Sequence, residues 1–393
     1  MATTSPLEAL GYPLFFAVAD ADLAAPIPRL DLAHRTRIRH LEGMQKEALV
    51  TGRDGTTWRL VSDEGEYLDG QDVAPCPLAF MATGMASGYA NAVESLAAER
   101  GVDLHGLEVV TDHFYTMTGS ALRGDMTGGA LDPEVEVRVG ADVDAAIVES
   151  LVEDAVAAAP VTALLDGVLE NEFTLTVNGE PVEVDRVSQL DAEPLADEAD
   201  LFEDVPRADE VQDPPLTHHT GETTEEFTGA RSKYTRGESS SLASEQDRVL
   251  PLRGVCTRRG DGLRSVHVKL YSPQGSIFEL IAEGPDGAGR APDPTTYVAA
   301  GLGFCFMTQF GRYADIVGTE LSDYRIVQDT HLAAGVPGES PPRAESVETH
   351  VFLRTPEGEA FARDVLDMSE QTCFLHALCR TDLDGPNVAV ETV

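Results

Sequence analysis

The sequence predicts an α+β chain in which one unit of strands and helices occurs twice. Three observations carry this. The stretch from Asp293 to Val317 carries no charge between Tyr297 and Phe306, and its small residues (Ala299, Ala300, Gly301, Gly303) alternate with bulky ones. A helix apolar on every side is a buried helix, and its small residues let another element approach closely. Runs that alternate apolar and polar residues between turn signals flank this stretch, which is the pattern of strands. Residues 77–112 overlay 294–329 without a gap, with Pro77/Pro294, Ala82/Ala299, Gly84/Gly301, Gly101/Gly318, Leu104/Leu321 and Asp112/Asp329 identical. These include the positions that open, pack and stop a helix, so the repeat concerns architecture.

Taken in order, residues 1–31 are rich in Ala and Pro and read as an N-terminal appendage. The first unit spans 32–183. Leu49-Val50, Trp58 and Leu60-Val61, set between polar residues and turns at Gly52 and Asp54-Gly55, predict strands in hairpins. Pro77 to Gly101 predicts a helix, since Pro is tolerated in a first turn and Gly ends a helix readily. Strands near 107–111 and 134–139, a helix near 143–157 and a strand near 173–177 complete the unit. The second unit, 247–393, repeats the order: strands at 250–255, 264–271 and 277–281, a helix from Pro294 to Gly318 capped by Asp293, strands at 324–330 and 346–353, a helix near 357–371 and a last strand at 388–393. Between the units, 184–246 is acidic and poor in large apolar residues, which predicts a linker or surface strap. Residues 237–246 within it could form a short helix.

The chain has 393 residues, 42% of them hydrophobic, enough for substantial cores. It carries 68 acids against 28 bases, a net charge of −40, with only three lysines (Lys46, Lys233, Lys269). Such a surface stays dispersed where high salt screens its self-repulsion, and it disfavours nucleic acid and anionic membranes. We therefore expect a halophilic, cytoplasmic protein. No run approaches a membrane span, and the apolar patch at 14–18 lacks the cationic lead-in of a signal peptide. The five cysteines (Cys76, Cys256, Cys305, Cys373, Cys379) form an odd set without the spacing of a zinc site, which suits a reducing compartment. His218-His219 lacks spaced partners, and no metal or cofactor is expected.

Cys305 lies eleven residues after Pro294 within Gly-Phe-Cys, and Cys373 follows a predicted helix 68 residues later in Ser-Glu-Gln-Thr-Cys. On the repeated frame these features resemble the OsmC/organic hydroperoxide resistance family, well over 250–393 and more weakly over 34–179. The resemblance implies two OsmC-like units, with antiparallel sheets around buried central helices, folded as a pseudo-dimer within one polypeptide. It also implies that Cys305 is the peroxidatic thiol and Cys373 the resolving one, acting on a small hydrophobic peroxide with an external dithiol as reductant. A nearby thiol makes a sulfenic acid reversible by condensing with it. The first unit has Gly88 at the position of Cys305 and no cysteine near Ala159-Pro160, so it is expected to be a scaffold for a single site.

A buried thiol needs a cation or a hydrogen-bond network to ionise. Family members that reduce hydroperoxides use an Arg and a Glu that follows the helix-opening Pro; here Thr295 and Thr296 stand in place of that Glu. Gln309 and Arg312, at i+4 and i+7 from Cys305, share its helix face. With Thr296 and His376 they are the candidate supporting residues, and Arg53, Arg59, Arg253 and Arg264 are further candidates for the Arg. The rival reading is a non-catalytic binding module whose interhelical pocket holds a hydrophobic ligand or partner, because buried cysteines often serve as small hydrophobes.

Overall fold

A computed structural model of the chain describes residues 5–10, 13–18, 23–165, 168–198, 200–204, 215–227 and 241–392. The first half forms β1 (Leu32–His40), β2 (Lys46–Gly52), β3 (Thr57–Ser62), α1 (Pro77–Arg100), β4 (Leu104–Ser120), β5 (Thr127–Ala141), α2 (Ala145–Ala158) and β6 (Asn171–Val177). The second half forms β7 (Glu245–Arg258), β8 (Arg264–Leu270), β9 (Ser276–Ala282), α3 (Pro294–Val317), β10 (Asp323–Ala333), β11 (Val347–Arg354), α4 (Glu359–Thr372), α5 (Phe374–Arg380) and β12 (Asn387–Thr392). The fold is mixed α+β.

Each sheet draws strands from both halves. One runs β3-β2-β1-β10-β11-β6 and the other β9-β8-β7-β4-β5-β12, with short strands added at the margins. The two orders are the same once each strand of one half is exchanged for its counterpart in the other. Pairing is antiparallel except where β11 meets β6, β5 meets β12, and Ser188–Gln189 meets β6. The sheets are therefore not wholly antiparallel. The last long strand of each half arrives beside a strand of the other half, so no hairpin dictates its direction.

Helices α1 and α3 pack on each other between the sheets, α1 against β4, β7 and β8 and α3 against β1, β2 and β10. Both are 24 residues long, open with Pro, and stop at a Gly with φ +68°. Their approach is close enough to require glycine. A Cβ on Gly84 would lie 2.6 Å from the Pro294 carbonyl oxygen, and one on Gly301 would lie 3.0 Å from the Met81 nitrogen. One contiguous apolar core spans both halves.

The N-terminal stretch is more than an appendage, because Phe15 is buried against Phe80 and Tyr297 and Phe16–Ala17 extends the sheet at β3. The strap residues that are described are mostly exposed but bury Leu190, Leu216 and Phe227; Arg186 pairs with Asp364 and Asp367, and Thr217–Thr223 pairs with β9. Of the helix expected at 237–246, residues 237–240 lie outside the described residues; 241–244 form a turn that leads into β7, which takes in 245–246. Among the described residues no helix is long and apolar enough to cross a membrane.

Candidate functional site

The thiol of Cys305 is positioned by the start of its helix. Asp293 accepts hydrogen bonds from the backbone N–H of Thr295 (2.8 Å) and Thr296 (3.1 Å), satisfying groups that the helix leaves unpaired. Three turns on, Cys305 is 3% exposed, on a helix walled by Phe304, Phe306 and Phe310. Cys373 is fully buried at the junction of α4 and α5, where its sulfur accepts from the His376 backbone N–H at 3.4 Å. The two thiols are near enough to act on each other, and the hydroxyl of Thr372, the residue before Cys373, reaches Gln309 on the Cys305 helix. Burial pushes the Cys373 thiol well above its ordinary pKa, and the neighbouring Cys305 pushes it further in the same direction. All five cysteines are free thiols.

Polar groups collect around this pair in two clusters. In the first, Arg312 is buried, donating to the Ser241 carbonyl (2.8 Å), the Gln309 side-chain oxygen (3.2 Å) and the Met126 sulfur (3.2 Å). Gln309 also accepts from the Thr372 hydroxyl at 3.2 Å, which ties α3 to the residue before Cys373. Burial, and then the charge of Arg248, lower the Arg312 guanidinium to about 9. Arg248 is itself buried and donates to the Ser241 hydroxyl at 2.8 Å.

In the second cluster, Glu64 accepts from the hydroxyls of Thr308 (3.0 Å) and Tyr67 (2.9 Å). Thr308 stands one turn beyond Cys305. Lys46 is fully buried on β2 and donates to the Met44 carbonyl at 2.6 Å. Burial lowers its pKa, while the charges of Glu64 and Asp63, and then the nearby Cys305 and Cys76, act to pull it back up. Burial raises the pKa of Glu64, against the charge of Lys46 and the two hydroxyl hydrogen bonds. Cys76, which caps α1 and whose chain continues into Pro77 against α3, is pushed up to about 12 by burial and by Glu64. In so apolar a setting a charge within a few ångströms acts much more strongly than in water.

The structure therefore brings together Cys305, Cys373, Gln309 and Arg312. It places Thr296 elsewhere: its hydroxyl donates to Asp293, nine residues before Cys305 and about 13 Å along the helix axis. Thr296 belongs to the helix cap, and Asp293 pairs with His34 across the cap at 3.7 Å. The His376 ring faces away from the cysteine sulfur to pair with Glu370, and it stacks on Phe306; only its backbone N–H reaches Cys373. Four of the arginine candidates are paired with carboxylates, Arg53 with Asp31, Arg59 with Glu47, Arg253 with Asp112 and Arg264 with Glu94.

Sequence reasoning missed Lys46, Glu64, Tyr67 and Arg248. Of these only Lys46 carried a signal, as one of three lysines and on a strand otherwise rich in apolar residues. In the first half, Val161 fills the matching space, lying 3.2 Å from where a Cβ on Gly88 would be.

Residues 286–384, which contain α3, Cys305 and Cys373, match the profile of the OsmC-like proteins. No curated protein is significantly similar to the chain. Among solved structures, an OsmC-like hydroperoxide resistance protein from Jannaschia sp. CCS1 is 22% identical, with 31% of this chain and 79% of that one aligned at a TM-score of 0.20. A proposed osmotic stress induced and detoxification response protein from Psychrobacter arcticus 273-4 is 14% identical, with 32% and 83% aligned at a TM-score of 0.23. The segment that holds both central cysteines is thus an OsmC-like domain, set within a longer chain.

Proposed function

We propose that the protein is a thiol-dependent reductase of organic hydroperoxides, built as a single-chain pseudo-dimer of two OsmC-like units with one working site. The observation that supports this reading is that Cys305 and Cys373, both buried, are near enough to act on each other in an aromatic-walled setting that also holds buried cations. Cys305 as thiolate attacks the terminal peroxide oxygen. The S–O bond forms, the O–O bond breaks with its electron pair leaving on the alkoxide, and the proton given up by the thiol completes the alcohol. Cys373 then attacks the sulfenic sulfur, releasing water and forming a disulfide. An external dithiol takes over that disulfide by exchange and returns both thiols. Lys46, whose charge acts on Cys305, and Arg312, on the same helix face, are the cations beside which that thiolate would react. The first half contributes Lys46 and Glu64 to this site, which accords with a scaffold that has Gly88 at one cysteine position and no cysteine near Ala159-Pro160, the other.

A second reading has one observation in its favour. Cys305 is almost closed to solvent, whereas an open cavity of about 480 Å³ lies at the other end of α3, lined by His34, Trp58, Asp293 and Thr295. A binding module would use such a cavity and leave the thiols as core. The test is to reduce the full chain, add a stoichiometric organic hydroperoxide, and follow free thiols in wild type, Cys305→Ser and Cys373→Ser. Rapid loss of two thiols in wild type, with Cys373 spared in Cys305→Ser, supports the reductase. Loss no faster than that of an ordinary free thiol rules it out and leaves the binding module.

A further inference from the structure

Tyr115 lies on β4 in the first half, in register with Leu250 of β7 and Ala130 of β5. Its side chain is wholly buried, and its hydroxyl has no hydrogen-bond partner among the described residues. Burying a hydroxyl without a partner costs stability, and phenylalanine would fill the same space without that cost. The ring packs 5.6 Å from Phe374, the residue after Cys373, and stacks on His113, whose two ring nitrogens are also unpaired. The contact with Phe374 sets Tyr115 beside the element that holds Cys373, and after burial the cysteines Cys305, Cys379, Cys373 and Cys76 act most on its hydroxyl. Both effects hold its pKa well above the ordinary value, which keeps the phenol protonated and able to donate.

From the unpartnered hydroxyl and its place beside the element that holds Cys373, we infer that Tyr115 donates a hydrogen bond to the peroxide oxygen that leaves when Cys305 is oxidised. The inference rests on the reductase reading and names a further residue of that site. As the O–O bond breaks, negative charge grows on the alkoxide oxygen. A donor already held without a partner in a dry setting can stabilise that charge without giving up another bond. Tyr115 keeps its own proton throughout, and the alcohol takes the proton released by the Cys305 thiol. The residue comes from the half without a cysteine pair.

The test compares wild type with Tyr115→Phe in the full chain, using cumene hydroperoxide to oxidise Cys305 and iodoacetamide to alkylate it. Alkylation depends on the thiolate but involves no leaving oxygen. We expect Tyr115→Phe to keep its melting temperature or raise it, to alkylate at the wild-type rate, and to be oxidised about 10- to 100-fold more slowly. Unchanged oxidation overturns the inference, as does an equal fall in both reactions, which would place Tyr115 with the thiolate and not the peroxide. A lowered melting temperature overturns it too, because the hydroxyl would then have a structural partner. If wild type itself is oxidised no faster than a free thiol, the reductase reading fails, whatever Tyr115→Phe does.

Discussion

Arg253 and Asp112 meet in a two-pronged ion pair across β7 and β4, with both nitrogen–oxygen distances 2.7 Å. The pair joins the two halves of the chain. Its counterpart, Arg35 with Asp329 across β1 and β10, joins them again at 2.8 and 2.6 Å. Asp112 and Asp329 are one of the identities that disclose the repeat. Each carboxylate is nearly buried, and hydrogen bonds to charged groups of this kind contribute roughly 1.5–3 kcal/mol. We predict that Asp112→Asn and Asp329→Asn each lower stability by about 2 kcal/mol within one cooperative urea transition. Two separate transitions, one per half, would contradict the exchange of strands.

Lys46 offers a sharper test of the site. It is a fully buried cation whose charge faces Glu64, Asp63 and the thiols of Cys305 and Cys76. Lys46→Met should slow alkylation of Cys305 at neutral pH by about tenfold, because a cation that acts on this thiol through an apolar setting is removed. The same change leaves Glu64 uncompensated, and removing one partner of a buried charge pair costs about 3 kcal/mol. Lys46→Met with Glu64→Gln should recover part of the stability and none of the reactivity. Chemical denaturation and iodoacetamide kinetics on the same samples separate the two effects.

His113 gives the acid limb of stability a defined origin. Burial lowers its pKa from 6.5 to about 4. Between those values the unfolded chain binds a proton that the folded one refuses. The contribution is therefore complete above pH 6.5 and is lost as pH falls toward 4, on the order of 3 kcal/mol in all. His113→Phe should flatten the difference in stability between pH 6.5 and 4 relative to wild type. Parallel curves for the two proteins would show that His113 takes no part.

Much of this architecture was legible because it rests on local chemistry. Pro at a first turn, Gly at a helix stop and small residues at a crossing are all read from neighbours in sequence, and Gly84 and Gly301 do pass against the opposite helix. The proposed pairing of Cys305 with Cys373 came from the resemblance alone. The exchange of strands between the sheets was implied by resemblance alone, since register between distant strands leaves no local trace. Helix α5 was missed because Phe374–Arg380 is short and apolar, which reads equally well as strand. Glu64 sits in a turn of Ser-Asp-Glu-Gly, where an acidic residue is ordinarily solvated; only the fold turns it toward Thr308. Tyr115 looks like any aromatic on a strand until its hydroxyl is seen without a partner.

The most direct measurement is to locate the bond that peroxide creates. The reduced full chain is treated with one equivalent of an organic hydroperoxide, quenched with an alkylating agent, digested without reductant and examined by mass spectrometry. The account predicts that the Cys305 peptide is recovered linked to the Cys373 peptide, and that the link is absent from Cys305→Ser. Recovery of Cys305 and Cys373 as separate alkylated thiols, with the peroxide unconsumed, would contradict it.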